Sequence, residues 1–320
     1  MGQAKKRGSA EERVEQARAR RSENVKMSDA NIVHKNQGVY EERFIAFVDI
    51  LGFGKLVEKS EATLDLPRKI LDALTSMHPT KIQDELFTTV NVEIVPEKEL
   101  TRVKEIARMM SEAQNQLNPV NISYFSDSLV ISAKADDVIA SQMVMDLLAK
   151  ISAMMWMSHR LVLRGGITVG KLVHVEGGPM FGPAMNRAYY LESKCAVYPR
   201  FLIDRNCIDQ YRKVQTFHLF ESFIQQEGDF YYASLATAFK HIINDSSLIM
   251  SGEKVLRKFR EAMLEAPIEI EKLREAHKAD ERIREKYEWL ARDLAARIPE
   301  VEPAYPCEDD DNNNNDLPER

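Results

Sequence analysis

Two aspartates stand where the sequence expects carboxylates to do chemistry. Residues 44–54 read F-I-A-F-V-D-I-L-G-F-G, so that an apolar run, Phe44 to Val48, delivers Asp49 to the end of a strand that must be buried. The glycine-rich turn Gly52-Phe53-Gly54 follows at once. A buried carboxylate is costly unless something pairs with it. Beside a turn rich in backbone N–H donors, the fitting partner is a metal ion that carries phosphate. The second aspartate is Asp127, within N-I-S-Y-F-S-D-S-L-V-I-S-A-K at 121–134, where two strand-like runs flank Ser126-Asp127-Ser128. Those residue types make a tight turn, so the segment reads as a β-hairpin with a carboxylate at its tip. Taken alone, Asp127 reads equally well as a turn residue and Asp49 as a helix cap. If the hairpin lies beside the first strand, both carboxylates reach one spot, which suits two divalent ions completed by triphosphate oxygens.

The elements that would position this pair follow from the residue pattern. A strand spans 43–50. Residues 64–77 carry Leu66, Ile70, Leu71 and Leu74 at helical spacing. Residues 86–120 read as an insertion or lid, ended by Asn118-Pro119. A Met-rich helix covers 137–159, its methionines serving as core filler. Residues 161–175, L-V-L-R-G-G-I-T-V-G-K-L-V-H-V, form a strand pair or one strand with a bulge at Gly165-Gly166. His174 on it reads as a hydrogen-bonded sheet histidine rather than a ligand. Phe181-Gly182-Pro183 opens a helix reaching about Ala196, and a short apolar strand covers 201–204. Beyond about 210 the pattern weakens: 217–239 is aromatic-rich without a clean period, and 251–298 is charged and helical, interrupted at Pro267. That region packs on the core or on a partner, or stands as a solvated appendage.

Composition bounds what such a chain can be. At 320 residues, 44% of them hydrophobic, it can bury one full core plus appendages. A net charge of −6 argues against a general nucleic-acid binder. Cys195, Cys207 and Cys307 have no metal-ligand spacing and suit a reducing compartment. The most apolar stretch, 138–158, carries Asp146 and Lys150 at helical spacing and so reads as a packed helix rather than a membrane span. The expectation is a cytoplasmic protein. It comprises a basic, loosely ordered tail at 1–40, a core domain at 41–210, a mainly helical extension at 211–306 and an acidic, Asn-rich tail at 307–320.

The blocks that carry the chemistry resemble a known family. Residues 47–53, F-V-D-I-L-G-F, resemble the F-x-D-I-x-G-F signature of class III nucleotidyl cyclases. Ser126-Asp127 stands where that family has Gly-Asp. Residues 164–170, R-G-G-I-T-V-G, resemble its R-x-G-I-x-x-G strand, and 182–188, G-P-A-M-N-R-A, its G-x-x-V-N-x-A helix start. The four blocks occur in the family's order over about half of the chain. The resemblance implies an α/β (α+β) catalytic domain of ferredoxin-like type, β-α-β-β-α-β at its core. Its antiparallel sheet would be flanked by helices, with a helical C-terminal extension.

The resemblance also implies attack of a ribose 3′-hydroxyl on the α-phosphorus, with loss of pyrophosphate, in a homodimer with shared active sites. Asp49, Asp127 and the Ile50 carbonyl would hold two Mn²⁺ or Mg²⁺ ions per active site. Gly52, Phe53 and Gly54 would cradle phosphate, and Asn186 would orient the ribose from the opposite subunit.

Some positions depart from the family pattern. The purine-reading Lys or Glu of the family is Ser123 here, with Tyr124 beside it, and this hydroxyl pair suits a smaller base. The transition-state Arg is replaced by Tyr190, which leaves Arg187 or Lys194 on the same helix as substitutes. Arg164 either contacts phosphate or bridges strand ends to a carboxylate. With the blocks F-G-P-A-M-N-R-A-Y-Y-L-E-S and Tyr198-Pro199-Arg200, the set resembles the pyrimidine cyclases of Pycsar-type bacterial anti-phage defence. That implies conversion of UTP, or else CTP, to a cyclic nucleotide that acts on a separate effector. The alternatives are a purine (adenylate or guanylate) cyclase and a catalytically silent module that binds nucleotide or a partner.

Overall fold

The computed structural model describes residues 39–78, 120–212, 223–244 and 253–298. The tails and most of the expected insertion at 86–120 lie outside the described residues.

The first strand, β1 (Glu41–Ile50), forms because its apolar run is buried on both faces: Phe44 to Val48 are each at most 3% exposed. Helices α1 (Phe53–Ser60) and α2 (Leu66–Ser76) follow. Next come the hairpin strands β2 (Val120–Phe125) and β3 (Ser128–Lys134), and the long helix α3 (Val138–His159). Strand β4 (Leu163–His174) then crosses the sheet and pairs at its end with the short β5 (Met180–Phe181). Helix α4 (Pro183–Tyr190) continues into a π-helical turn, Leu191–Cys195. The chain goes on through β6 (Arg200–Ile203), α5 (Arg205–Tyr211), β7 (Gln225–Glu227), β8 (Phe230–Ser234) and α6 (Leu235–Asn244). Two helices follow, α7 (Glu253–Ala276) and α8 (Glu281–Arg297).

The sheet order is β2-β3-β1-β4-β6-β8-β7. All neighbours are antiparallel except β4 and β6. The architecture is therefore mixed α/β, a mostly antiparallel sheet flanked by helices. Its first four strands, with α1, α2 and α3 between them, follow the ferredoxin-like β-α-β-β-α-β course.

Alternation along β1 divides the core. Phe44, Ala46, Val48 and Ile50 join the large cluster that includes α3, α6, α7 and α8. Ile45 and Phe47 join Val130, Leu172, Ala184 and Ala188 in a smaller cluster under α4. Asp49 shares that second parity. Helix α4 lies close because β4 is paved with glycine there: a Cβ at Gly166 would sit 2.2 Å from the Ala188 carbonyl oxygen. The expected bulge at Gly165-Gly166 is absent. Both glycines stay in register with Val48 and Phe47, and they are small because Phe201 on one side and α4 on the other crowd the strand.

Helix α3 is long and apolar enough to cross a membrane by length and composition, but 61% of its most apolar stretch is buried inside this fold. The C-terminal region packs on the core. Ala262, Met263, Ala266 and Ile270 of α7 and Trp289, Leu290 and Leu294 of α8 are all buried. Pro267 does not interrupt α7, because buried residues on both sides of it hold the helix against α6 and α8. The stretch after 210 is not purely helical: β8 pairs with β6 and extends the sheet.

Candidate active site

The hairpin tip is tied to the end of β1 by backbone. Ile50 N–H donates to the Asp127 carbonyl at 3.3 Å, and Asp49 stands opposite Ser128 in the ladder. The turn Ser126-Asp127 is made with Ser126 at φ +55°, a left-handed conformation uncommon for a non-glycine residue and suited to a tight turn. The aspartates are therefore brought together, each partly buried. Past β1 the chain turns through Gly52 at φ +83°, where glycine alone is unstrained, and enters α1. The first amides of α1, on Phe53 and Gly54, have no partner within the helix.

Two further groups join the pair. Arg164 stands opposite Asp49 on β4, and its Nη2 donates to Asp49 Oδ2 at 3.2 Å. The same Nη2 lies 2.6 Å from Oε1 of Glu192, a 3%-exposed side chain in the π-helical turn. Two carboxylates, Asp49 and Glu192, thus share one guanidinium whose Nε is buried without a hydrogen-bond partner among the described residues, while Asp127 adds its charge beside Asp49. The imbalance shows in proton affinity. Burial, then the charges of Asp127 and Glu192, push the Asp49 carboxyl up to about 7, against the pull of Arg164. Burial also raises Glu192, with Arg164 pulling it down. Bridging of Asp49 and Glu192 is the role Arg164 takes within the chain.

The acidic pair opens on a cleft of about 580 Å³. One wall is the β1–α1 turn, from Ile50 through Gly54 to Lys55 and Lys59; the other comes from α7 and α8, with Leu273, His277, Arg282 and Lys286. A smaller cleft of about 190 Å³ shares Arg164, Arg282 and Lys286 and adds Lys194 and Tyr198.

The remaining expected residues lie elsewhere. Ser123 and Tyr124 are neighbours on β2 and point to opposite faces. Ser123 Oγ bonds His174 Nε2 at 2.8 Å on the α4 side, whereas the Tyr124 ring packs on the main core and meets His78 edge-on. The two hydroxyls are not brought together. Asn186, Arg187 and Tyr190 are exposed on α4, away from the residues lining the cleft. Arg187 makes a bidentate pair with Asp204, at 2.8 and 2.7 Å, and lies over the Tyr190 ring.

His174 is the structural residue its strand implied. It is 7% exposed, and its two ring nitrogens lie 2.8 Å from the hydroxyls of Ser123 and Ser132. Burial, then the charge of Arg43, lowers it to about 4.

Sequence reasoning missed Glu192 and the cations of α8. Glu192 lies in the helix block that carries Asn186, and its place one turn on from Ala188, over Gly166, was the available signal.

No family model matches the chain, and no curated protein matches it. Among solved structures it is similar to the adenylyl cyclase CyaB from P. aeruginosa, at 14% identity over 61% of this chain and 94% of that one, with a TM-score of 0.38. It is also similar to a bacterial light-regulated adenylyl cyclase, at 16% identity over 69% of this chain and 98% of that one, with a TM-score of 0.30. Chains so dissimilar share at most an arrangement of elements.

The low value at His174 has a sign. An unfolded histidine titrates near 6.5, so between there and about 4 the unfolded chain binds the extra proton. The neutral imidazole's contribution is full above pH 6.5 and is lost as pH falls towards 4, by about 3 kcal/mol. Asp49, being raised, contributes in the opposite sense, and subtracting a variant cancels it. Denaturant titrations of wild type and His174→Gln at pH 6.5 and 4 should show the stability gap narrowing by that amount. An unchanged gap would contradict the assignment.

Proposed function

We propose that the chain is a nucleotidyl cyclase that converts a nucleoside triphosphate to its 3′,5′-cyclic nucleotide and pyrophosphate. The observation that carries this reading is the acidic pair: Asp49 and Asp127 are forced together at the mouth of a cleft whose other wall is cationic. Like charges held this way are costly without a compensating cation. The donor set fits a hard divalent ion, because it is made of carboxylate oxygens. Among the described residues no group of three or more His, Cys, Asp or Glu side chains could hold a metal unaided, so water and substrate oxygens would complete the coordination. Asp49 and Asp127, with the Ile50 carbonyl, would hold two Mn²⁺ or Mg²⁺ ions. Bound there, such ions lower the pKa of a ribose 3′-hydroxyl and neutralise a triphosphate.

The protein's own part is to position and to balance charge. The amides at the start of α1 receive phosphate oxygens, and Arg164 is shared between Glu192 and the substrate side of Asp49. Asn186, Arg187 and Tyr190 do not reach the cleft of their own chain, and they belong to the site only in a homodimer that brings α4 of the second copy to the first. The exposed aromatics on that side, Phe125, Tyr189 and Tyr190, are 44–53% exposed and suit such a face.

For the base, we favour a pyrimidine, UTP before CTP. The position that reads purines in the resembled family is Ser123 here, and its hydroxyl is held by His174 on the α4 side of the sheet. Loss of one hydrogen-bonding reader shifts selectivity strongly. A role in anti-phage signalling through a separate effector rests on the resemblance to the Pycsar cyclases alone. A second reading, nucleotide binding without turnover, draws on Tyr190 standing in place of an Arg and on the engagement of Arg187 by Asp204.

Incubation with ATP, GTP, CTP and UTP in turn, with Mn²⁺ and mass detection, should yield a cyclic product, with UTP best. Asp49→Ala or Asp127→Ala should lower turnover by at least about 10³-fold with the fold retained. Full activity in the double variant, or nucleotide bound without product, would remove the reading. On dilution to monomer, activity per chain should collapse; if it holds constant, the shared site is wrong.

A further inference from the structure

The C-terminal helices bring cations to a site otherwise built by the first half of the chain. Helix α8 starts at the N-cap Asp280, whose carboxylate accepts from Ile283 N–H and from Lys55 Nζ of α1. That contact bridges the cleft at its rim. Further along, Trp289 stacks on Tyr198 at 5.4 Å, and buried Asp293 accepts from Tyr232 and Ser234 of β8. The helix is thus tied to α1 at its start and to the sheet, through β8, further along. Between these anchors Arg282 and Lys286, one turn apart and so on one face, line both the large cleft and the smaller one beside it.

The large cleft is lined by the two carboxylates Asp49 and Asp127 together with six cations, Lys55, Lys59, Arg160, Arg164, Arg282 and Lys286. Several of these cations are already paired: Lys55 with Asp280, Arg164 with Asp49 and Glu192, Arg160 with Glu265. Among the described residues, Arg282 and Lys286 have no carboxylate within ion-pair distance. Lys286 is half-buried, and burial first, then Arg164, Arg282 and Lys55, favour its uncharged form. An anion among these groups would reverse that repulsion. Neighbouring residues on the same helix behave differently: Arg284 points elsewhere and pairs with Glu281 and Glu288.

We propose that Arg282 and Lys286 of α8 bind the terminal phosphates of the triphosphate, in cis, opposite the metal-bearing end at Asp49 and Asp127. This rests on the nucleotidyl cyclase reading for the identity of the substrate. A guanidinium supplies a planar two-donor fork for phosphate oxygens and an ammonium supplies a point charge, so the two together suit a β,γ-diphosphate. When the ribose 3′-oxygen attacks the α-phosphorus, a 3′-O–P bond forms, the bond to the α,β-bridging oxygen breaks with its electron pair leaving on pyrophosphate, and the hydroxyl proton passes to water. The clamp is placed to take up that charge, a role for which Tyr190 has no cation to offer.

Inorganic tripolyphosphate, which has neither base nor ribose, probes the clamp without turnover. Calorimetric titration of the full chain should show binding that weakens with salt. Affinity should fall at least about tenfold in Arg282→Gln/Lys286→Gln and stay unchanged in Arg284→Gln. In turnover, KM for the nucleotide should rise by a similar factor. The single variants Arg282→Gln and Lys286→Gln report the same effect in part, should circular dichroism show the double variant misfolded. Wild-type affinity and KM in a folded double variant, an equal loss in Arg284→Gln, or no tripolyphosphate binding by the wild type would each overturn the proposal. Tripolyphosphate binding that depends on these residues, without any cyclic product, would leave the clamp standing and remove the cyclase reading. A cyclic product formed with unchanged KM in the double variant would do the reverse.

Discussion

β1 is hydrogen-bonded on both edges down to Asp49, and that pairing governs the working end of the molecule. With Ser128 on one side and Arg164 on the other, the Asp49 side chain has no freedom of place. Its parity sends it to the face under α4, where the glycine-paved β4 lets the helix approach and delivers Glu192. The hairpin adds Asp127 through a backbone bond to Ile50. Asp49 and Glu192 then share one arginine, with the charge of Asp127 beside them. Such a cluster stays negative unless it binds protons or a cation, and the rise of Asp49 to about 7 is the proton form of that demand.

The parts of this arrangement that depend on neighbouring residues were legible in the sequence. An apolar run ending in Asp49, a Ser-Asp-Ser turn between strand-like runs and Pro183 at a helix start each carry their own local signal, and each formed the expected element. Elements set by distant contacts were not legible. The two glycines of β4 suggested a bulge because nothing nearby showed that Phe201 and α4 would crowd them. Pro267 suggested a break because the buried residues around it hold the helix only once α6 and α8 are packed against it. Ser123 and Tyr124 suggested a pair, although strand alternation sends neighbours to opposite faces.

The cations of the cleft were hidden for a related reason. In sequence, Arg282 and Lys286 lie in a charged helix that looks like any solvated surface. Their meaning comes from Trp289 and Asp293, which dock that helix on Tyr198 and β8, and from Asp280, which ties its start to Lys55 of α1. The resulting cleft combines a carboxylate pair with several cations, the two signs that a metal-bound polyphosphate carries in complementary form. The C-terminal region is in this account part of the site rather than an appendage to it.

Counting metal ions bound with an unreactive substrate tests the central claim most directly. A 3′-deoxynucleoside triphosphate lacks the attacking hydroxyl, so the complex stays intact while Mn²⁺ is titrated and followed by electron paramagnetic resonance. The account predicts two Mn²⁺ per chain in excess of those bound by the nucleotide mixed with Asp49→Ala/Asp127→Ala protein. No excess over that double variant would contradict it.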